Sequence, residues 1–194
     1  MKQLLAQDLF TVAGVLSAEE CAGLIDRGET LGFDRASVRT SSGPQMRSDI
    51  RNNDRVVFSD PALAGSLWQR IQPFVPDPLQ GGRAVGLDAA FRIYRYDPSQ
   101  RFKRHIDGVV SPAPGLRSRL TFMVYLNDGC VGGDTTFYAA DAPGGLRQEV
   151  VRVSPEAGTG LFFLHEWWHE GGVLLEGRKY VLRSDVFYRF PADG

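Results

Sequence analysis

TGLFFLHEWWHEGG (159–172) decides the fold, because it can be interpreted either as a buried strand or as a catalytic helix. Two of the three histidines in the chain, His165 and His169, lie four residues apart in it, with Glu166 directly after the first. Only about ten residues separate the flanking glycines, and Leu, Phe and Trp dominate them, so a helix would have no polar face and no cap. A short aromatic run bounded by glycines favours a strand.

The chain after Gly81 contains six more runs of the same kind, each rich in β-branched or aromatic residues and separated from the next by Gly, Pro, Asp or Ser. They are AAFRIYRYD (89–97), RFKRHID (101–107), LTFMVYLND (120–128), DTTFYAA (134–140), QEVVRVS (148–154) and KYVLRSDVFYRF (179–190). About seven strands with no helical pattern between them predict an antiparallel sandwich or barrel.

The N-terminal part has a different composition and predicts two helices. The first begins at a capping box formed by Ser17 and Glu20, after a short strand at 9–15, and the second covers 59–75 behind an Asp-Pro start. Residues 36–54 are polar and turn-rich and predict a loop. We therefore expect one domain over 1–194, with a helical support region (1–80) packed on one sheet of a β core (81–194).

The composition excludes several classes of protein. A net charge of -1 and 43% hydrophobic residues give no basic surplus for nucleic acid or an anionic membrane. No apolar run is long enough to span a bilayer, and Cys21 and Cys130 form no disulfide framework or metal-binding C-x-x-C pair. A cytoplasmic location is expected. The oligomeric state is not indicated.

A metal site is predicted by His105 and Asp107, since residues i and i+2 of a strand point to one face. The third ligand must be His165 or His169, and residue parity does not choose between them. Two histidines and one carboxylate leave three coordination positions open, which is the arrangement of non-haem Fe(II) oxygenases. An H-x-D pair on its own is also common as a surface hydrogen-bonded pair.

Two other interpretations of this segment stay open. H-E-x-x-H is the helical zinc-peptidase motif, with Glu166 as general base, although the third histidine of its extended form would fall on Leu175. The chain could also be a non-catalytic jelly-roll binding module that keeps the appearance of a site.

The ordered motifs H-x-D, Y-L-N, G-G-x-T, H-x-G and G-x-K-Y together resemble the prolyl 4-hydroxylase-like Fe(II)/2-oxoglutarate oxygenases. They lie in FRIYRYDPSQRFKRHIDG, LTFMVYLND, GGDTTFY and the closing segment up to Phe190, so the resemblance covers roughly residues 85–190. It implies a mainly β (α+β) fold, a double-stranded β-helix (jelly roll), with the two N-terminal helices packed on one sheet.

The resemblance also implies the roles of individual residues. The iron ligands would be His105, Asp107 and His169, the last because Lys179 follows it by ten residues. Lys179 would pair with the distal carboxylate of 2-oxoglutarate, with the adjacent Arg178 as the alternative cation. The same pocket would be completed by Tyr125, Tyr96 and Thr135. His165 would be a neighbour, with a hydrogen-bonding role at most.

The activity implied by the family is hydroxylation of an unactivated C–H bond with release of succinate and CO2. It requires Fe(II), 2-oxoglutarate and O2, with ascorbate as the expected reductant. The substrate would be a prolyl or other amino-acid residue of a peptide, or a free amino acid. Segments 36–54 and 108–118 are the expected substrate lids. The candidate substrate contacts are Arg51, Asn53, Arg55, Arg183 and Asp185.

Overall fold

The computed structural model describes residues 1–40, 43–139 and 148–191. These ranges contain two helices, α1 (Ala18–Leu31) and α2 (Pro61–Ile71). Their strands are β1 (Lys2–Ala6), β2 (Leu9–Val12), β3 (Asp34–Arg35), β4 (Val38–Thr40), β5 (Gly43–Gln45), β6 (Asp54–Ser59), β7 (Arg83–Leu87), β8 (Ala90–Tyr96), β9 (Phe102–His105), β10 (Leu116–Tyr125), β11 (Val131–Gly132), β12 (Thr135–Tyr138), β13 (Glu149–Val153), β14 (Gly160–Leu164), β15 (Trp168–Gly171), β16 (Leu174–Glu176) and β17 (Lys179–Arg189).

Two antiparallel sheets build the core. The large sheet has the order β1-β2-β14-β10-β17-β8-β6-β3, with β7 also paired to β17. The small sheet has the order β13-β12-β15-β9. Their inner faces meet through aromatic contacts, for example between Phe137 of β12 and Phe163 of β14, whose ring centroids are 5.0 Å apart. This double-sheet arrangement is the predicted jelly roll.

The large sheet has an apolar face toward the helices and a mixed face toward the small sheet. On β17, Tyr180, Leu182 and Val186 belong to the same buried cluster as the helices. Lys179, Val181, Arg183 and Asp185 alternate with them and point inward. Because side chains alternate across a strand, one strand supplies both the support for the helices and the polar interior.

Both helices begin as predicted and pack on the outer face of the large sheet. In α1 the Ser17 hydroxyl accepts a hydrogen bond from the Glu20 amide, and the Glu20 carboxylate accepts one from the Ser17 amide. In α2 the carboxylate of Asp60 accepts a hydrogen bond from the Leu63 amide. The residues buried by the two helices are Cys21, Leu24, Gly28, Ala64, Leu67 and Ile71.

All seven strands predicted after Gly81 are confirmed, with local differences elsewhere in the chain. The second helix ends at Ile71 instead of 75, and the first strand ends at Val12 instead of 15. The segment 36–54, predicted as a loop, contains the short strands β4 and β5. The N-terminal region also contains more strands than predicted, since β1, β3 and β6 join the predicted β2 in the large sheet. These strands are short or lie toward the sheet edges, where the alternation of apolar and polar residues along the sequence is weak.

No helix in the described ranges is long and apolar enough to cross a membrane.

Candidate metal centre

Three side chains converge where the small sheet meets the end of β14. The pairing of β9 with β15 places His105 opposite His169. Asp107 follows two residues later, and its amide donates to the His165 carbonyl at 3.0 Å. The Asp107 carboxylate oxygens lie 3.8 Å from each histidine Nε2, and the three ligand atoms are all within 4.8 Å of one another. This set could hold one metal ion.

Backbone carbonyls fix both imidazoles in the orientation that a metal ion needs. Nδ1 of His105 lies 2.8 Å from the Lys103 carbonyl, and Nδ1 of His169 lies 2.9 Å from the Trp167 carbonyl. A carbonyl can only accept, so Nδ1 carries the proton and the Nε2 lone pair faces the centre. The ring of Phe102 stacks on His105 at 3.6 Å between centroids and restricts its rotation.

Burial and neighbouring charges keep all three ligands in the form that binds a metal. Burial, helped by the charge of His169, lowers the pKa of His105 to about 3, and burial also lowers the pKa of His169. Burial alone would raise the pKa of Asp107, but Arg183 and the two histidines hold it well below its usual range. At neutral pH the set is therefore two neutral imidazoles and one carboxylate, which suits a divalent cation.

A chain of buried hydrogen bonds orients Asp107 from behind. The Thr121 hydroxyl donates to Asp107 Oδ2 at 2.5 Å and lies 3.0 Å from His165 Nδ1. His165 Nε2 in turn lies 2.9 Å from the Ser118 hydroxyl. Arg183 reaches the same Asp107 oxygen at 3.1 Å. His165 is thus outside the ligand cluster and acts on it through Thr121.

The zinc-peptidase interpretation of H-E-x-x-H is wrong, because the segment is not a helix. β14 ends at Leu164, a turn follows, and β15 begins at Trp168. Glu166 is exposed and faces Arg119 at 3.4 Å, while only His169 of the two histidines joins the ligand cluster. The spacing of four residues therefore reflects a strand, a turn and a second strand.

An inner pocket next to the ligands encloses about 430 Å³ of empty space. Its wall includes Lys179, which is 2% exposed and donates to the Gly133 carbonyl. The Lys179 ammonium lies 5.3 Å from the Tyr96 ring and 5.4 Å from the Tyr125 ring. It forms no ion pair with the residues that the structure describes, and burial lowers its pKa to about 8. A carboxylate in this pocket would supply the missing partner.

The other residues predicted around the cosubstrate surround Lys179 unequally. Thr135 and Tyr96 line the inner pocket. Tyr125 is completely buried behind it, and its hydroxyl donates to the Thr135 hydroxyl at 2.8 Å. Arg178, the alternative cation, points out of the core and pairs with Asp97 at 2.6 Å. Of the two adjacent cations, only Lys179 faces the pocket.

A second, outer pocket shares His105 and Asp107 with the inner one and spans about 810 Å³ of empty space. Four of the five predicted substrate contacts line it: Arg51, Arg55, Arg183 and Asp185. Asn53 does not, because it is buried beneath Arg51, accepting from Arg51 Nε at 2.7 Å and donating to the Asp54 carbonyl. Both predicted lid segments contribute to the wall, through Ser37 and Val110.

Sequence reasoning missed Thr121, Ser118, Tyr94 and Phe102. Thr121 lies on the same inward face of β10 as Met123 and Tyr125, because residues two apart on a strand share a face. This alternation is the one feature of the sequence that could have identified Thr121. The others are ordinary strand residues whose contacts depend on pairing between distant parts of the chain.

Residues 91–184 match the sequence profile described as the 2OG-Fe(II) oxygenase superfamily. This segment is a 2OG-Fe(II) oxygenase domain. It contains all three metal ligands and Lys179. A search of the curated proteins gave no match.

Several solved structures share the fold at low sequence identity. A viral collagen prolyl hydroxylase from Paramecium Bursaria Chlorella virus-1, in a 2OG complex, is 19% identical, with 93% of this chain and 95% of that chain covered and a TM-score of 0.60. A Pseudomonas putida prolyl-4-hydroxylase is 20% identical, with 94% and 92% covered and a TM-score of 0.60. A Trichoplax adhaerens prolyl hydroxylase in complex with a hypoxia inducible factor peptide is 16% identical, with 93% and 83% covered and a TM-score of 0.66.

The family match confirms the predicted class, a 2-oxoglutarate-dependent dioxygenase, and with it the requirement for Fe(II), 2-oxoglutarate and O2. The jelly roll is the fold of the similar structures. The donor set of His105, Asp107 and His169 fits the iron that the family requires. The role of ascorbate stays a prediction.

Proposed function

We propose that this protein hydroxylates an unactivated C–H bond of a prolyl or other amino-acid residue, or of a free amino acid, releasing succinate and CO2. One observation carries the proposal: the three metal-ligand atoms lie in the walls of an inner pocket, which contains a buried lysine with no ion pair among the described residues, and His105 and Asp107 also line an outer pocket. Two of the similar structures support the proposal, since one is named as a 2OG complex and the other as a complex with a peptide, which favours a peptide substrate. A cytoplasmic location is part of the same proposal.

The protein residues have separate tasks in this scheme. His105, Asp107 and His169 would hold Fe(II) on one face and leave the opposite positions free. Lys179 would bind the distal carboxylate of 2-oxoglutarate, and Thr135 and Tyr96 would complete the pocket around it. When bound, the iron and 2-oxoglutarate supply the oxidising chemistry, and the surrounding side chains position the substrate and exclude water.

The matching of charge favours this assignment of the inner pocket. The ammonium of Lys179 is desolvated and lacks an ion-pair partner among the described residues, a situation that costs several kcal/mol when a buried charge stays unpaired. A dicarboxylate with its other end at the metal relieves that cost. A neutral ligand would not.

The test is succinate formation from 2-oxoglutarate with added Fe(II) and ascorbate, comparing wild type with His169→Ala. We expect the substitution to abolish turnover because it removes one of three protein ligands. Glu166→Gln is the matched control, since this exposed side chain lies outside the ligand cluster and faces Arg119, and it should keep full activity. Turnover that survives His169→Ala but is lost in His165→Ala would show that the wrong histidine was assigned. A protein that binds no metal would instead be a non-catalytic jelly-roll module.

A further inference from the structure

The outer pocket carries more positive charge than its own carboxylates neutralise. Four guanidinium groups line it, from Arg51, Arg55, Arg92 and Arg183. The carboxylates in its wall are Asp185 and Asp107, and Asp107 is a metal ligand. Asp185 pairs with Arg183 at 3.2 Å and Arg92 at 3.5 Å. Two arginines, Arg51 and Arg55, are left without an ion pair among the described residues.

Arg51 is held rigidly with an unused donor. It is 6% exposed and lies between the rings of Tyr94, at 4.5 Å, and Phe102, at 4.3 Å. Its Nε donates to Asn53, but its Nη2 is buried and has no hydrogen-bond partner among the residues that the structure describes. A buried, unpaired guanidinium nitrogen is costly, so a preorganised one in a pocket wall indicates a ligand that completes it.

Arg55 faces the same space from β6. Within the described ranges, the Arg55 side chain donates one hydrogen bond, a long contact of 3.5 Å to the Ser37 hydroxyl. Burial, together with the charges of Arg51, Arg92 and Arg183, lowers the pKa of Arg55. The cluster is therefore repulsive within itself, and an anion between its members would relieve the repulsion.

The phenol of Tyr94 lies in the positive field of the same arginines. Burial alone would raise the pKa of this phenol, but Arg183, Arg51 and Arg92 lower it to about 8. The positive field therefore outweighs desolvation at the point where the outer pocket meets the inner one, since Tyr94 lines both.

We propose that the substrate carries a carboxylate, which Arg51 and Arg55 bind in the outer pocket while its reacting carbon lies at the metal. A planar guanidinium matches a carboxylate through paired hydrogen bonds, so this contact sets the position of the substrate as well as its affinity. The inference rests on the function proposed above and specifies its substrate class. The carboxylate can belong to a free amino acid, to the C-terminus of a peptide or to an acidic side chain.

This carboxylate site is separate from the expected 2-oxoglutarate site. Of these two pockets, Lys179 lines only the inner one, and Arg51 and Arg55 line only the outer one. The two anions would therefore bind in separate pockets that share His105 and Asp107 in their walls.

The experiment uses isothermal titration calorimetry of the full chain loaded with Mn(II) and 2-oxoglutarate, so that no turnover occurs. The probes are the N-acetyl derivatives of glycine, L-proline and L-leucine, each as the free acid and as the primary amide. We expect at least one acid to bind at least tenfold more tightly than its amide. Arg55→Gln should weaken that acid about tenfold or more and leave the amide unchanged, because a hydrogen bond to a charged group is lost.

Arg117→Gln is the matched control, since this exposed arginine lies outside both pockets, and it should keep the preference for the acid. Arg51→Gln is the second pocket variant.

A tetrapeptide with a free or amidated C-terminus, and one with an internal glutamate, distinguish the source of the carboxylate. The proposal is overturned if no acid binds more tightly than its amide, or if the preference persists in both pocket variants. The affinity of the wild-type protein for 2-oxoglutarate is measured first. If the wild-type protein does not bind 2-oxoglutarate, the proposed function is overturned as well.

Discussion

Replacing Lys179 with methionine is expected to abolish 2-oxoglutarate binding and, at the same time, to stabilise the metal-free protein. Lys179 is 2% exposed, donates one hydrogen bond to the Gly133 carbonyl and has no ion pair within the described ranges. Methionine has a similar length and no charge, so it fills the same space beside Tyr96 and Tyr125.

The magnitude follows from the pKa of the buried ammonium. Burial lowers that pKa from 10.5 to about 8, and each unit corresponds to 1.36 kcal/mol, so the charged form costs the folded state about 3 kcal/mol. Losing the hydrogen bond to Gly133 offsets part of this, which leaves a net gain of about 1 to 2 kcal/mol. In a chain of this size that gain raises the melting temperature by a few degrees.

The dependence on pH separates this explanation from simple repacking. Because the folded pKa lies below the unfolded one, the penalty in the wild type is complete below pH 8 and disappears as the pH rises through 10.5. The stability difference should therefore be largest at pH 7 and shrink toward pH 10.5. The assay is denaturant unfolding of both metal-free proteins across this range. A methionine variant that is less stable than wild type at pH 7, or a gap that does not change with pH, would refute the reasoning.

Three further outcomes are expected. Thr121→Val should weaken metal binding by about ten- to a hundredfold, since Asp107 loses an orienting hydrogen bond, and calorimetry with Mn(II) should show that Thr121→Ser keeps the wild-type affinity. The dissociation constant for 2-oxoglutarate at saturating metal should rise about tenfold per pH unit above pH 8, as Lys179 loses its proton, and an affinity that is constant from pH 7 to 9.5 would contradict this. A tyrosine absorbance change near pH 8 should vanish in Tyr94→Phe and move upward in Arg51→Gln, whereas its persistence in Tyr94→Phe would assign it to another residue.

The elements predicted from the sequence are those with a strong local pattern. The capping box at Ser17 and the β-branched and aromatic runs of β10 and β17 require only neighbouring residues, and these elements are found as predicted. β1 and β4 were not predicted, because short strands toward a sheet edge have no apolar alternation to identify them. Whether a strand forms at such a position depends on the neighbouring strand with which it pairs.

The metal ligands and Lys179 could be located because family spacing adds to the H-x-D pattern. The side chains that hydrogen-bond to these residues could not be located from the sequence. Thr121 and His165 join Asp107 only through the pairing of β10 with β14, which brings together residues 44 positions apart in the chain. The position of Asn53 could not be predicted either. It was predicted as a substrate contact and lies beneath Arg51, and the sequence does not show which of these two polar residues faces the pocket.

β17 fixes the distance between the two ends of the site. Its inward residues run from Lys179, at the proposed cosubstrate end, to Asp185, at the outer mouth, over about 20 Å of extended chain. The spacing between the two ends is set by backbone geometry, which side-chain changes do not alter. A change at Asp185 would therefore reach the metal ligands through Arg183, which pairs with both Asp185 and Asp107, and would not act on Lys179 directly. In contrast, a one-residue deletion between Lys179 and Arg183 would reverse the facing of the residues on one side of it, so that Lys179 and Arg183 would no longer point to the same face.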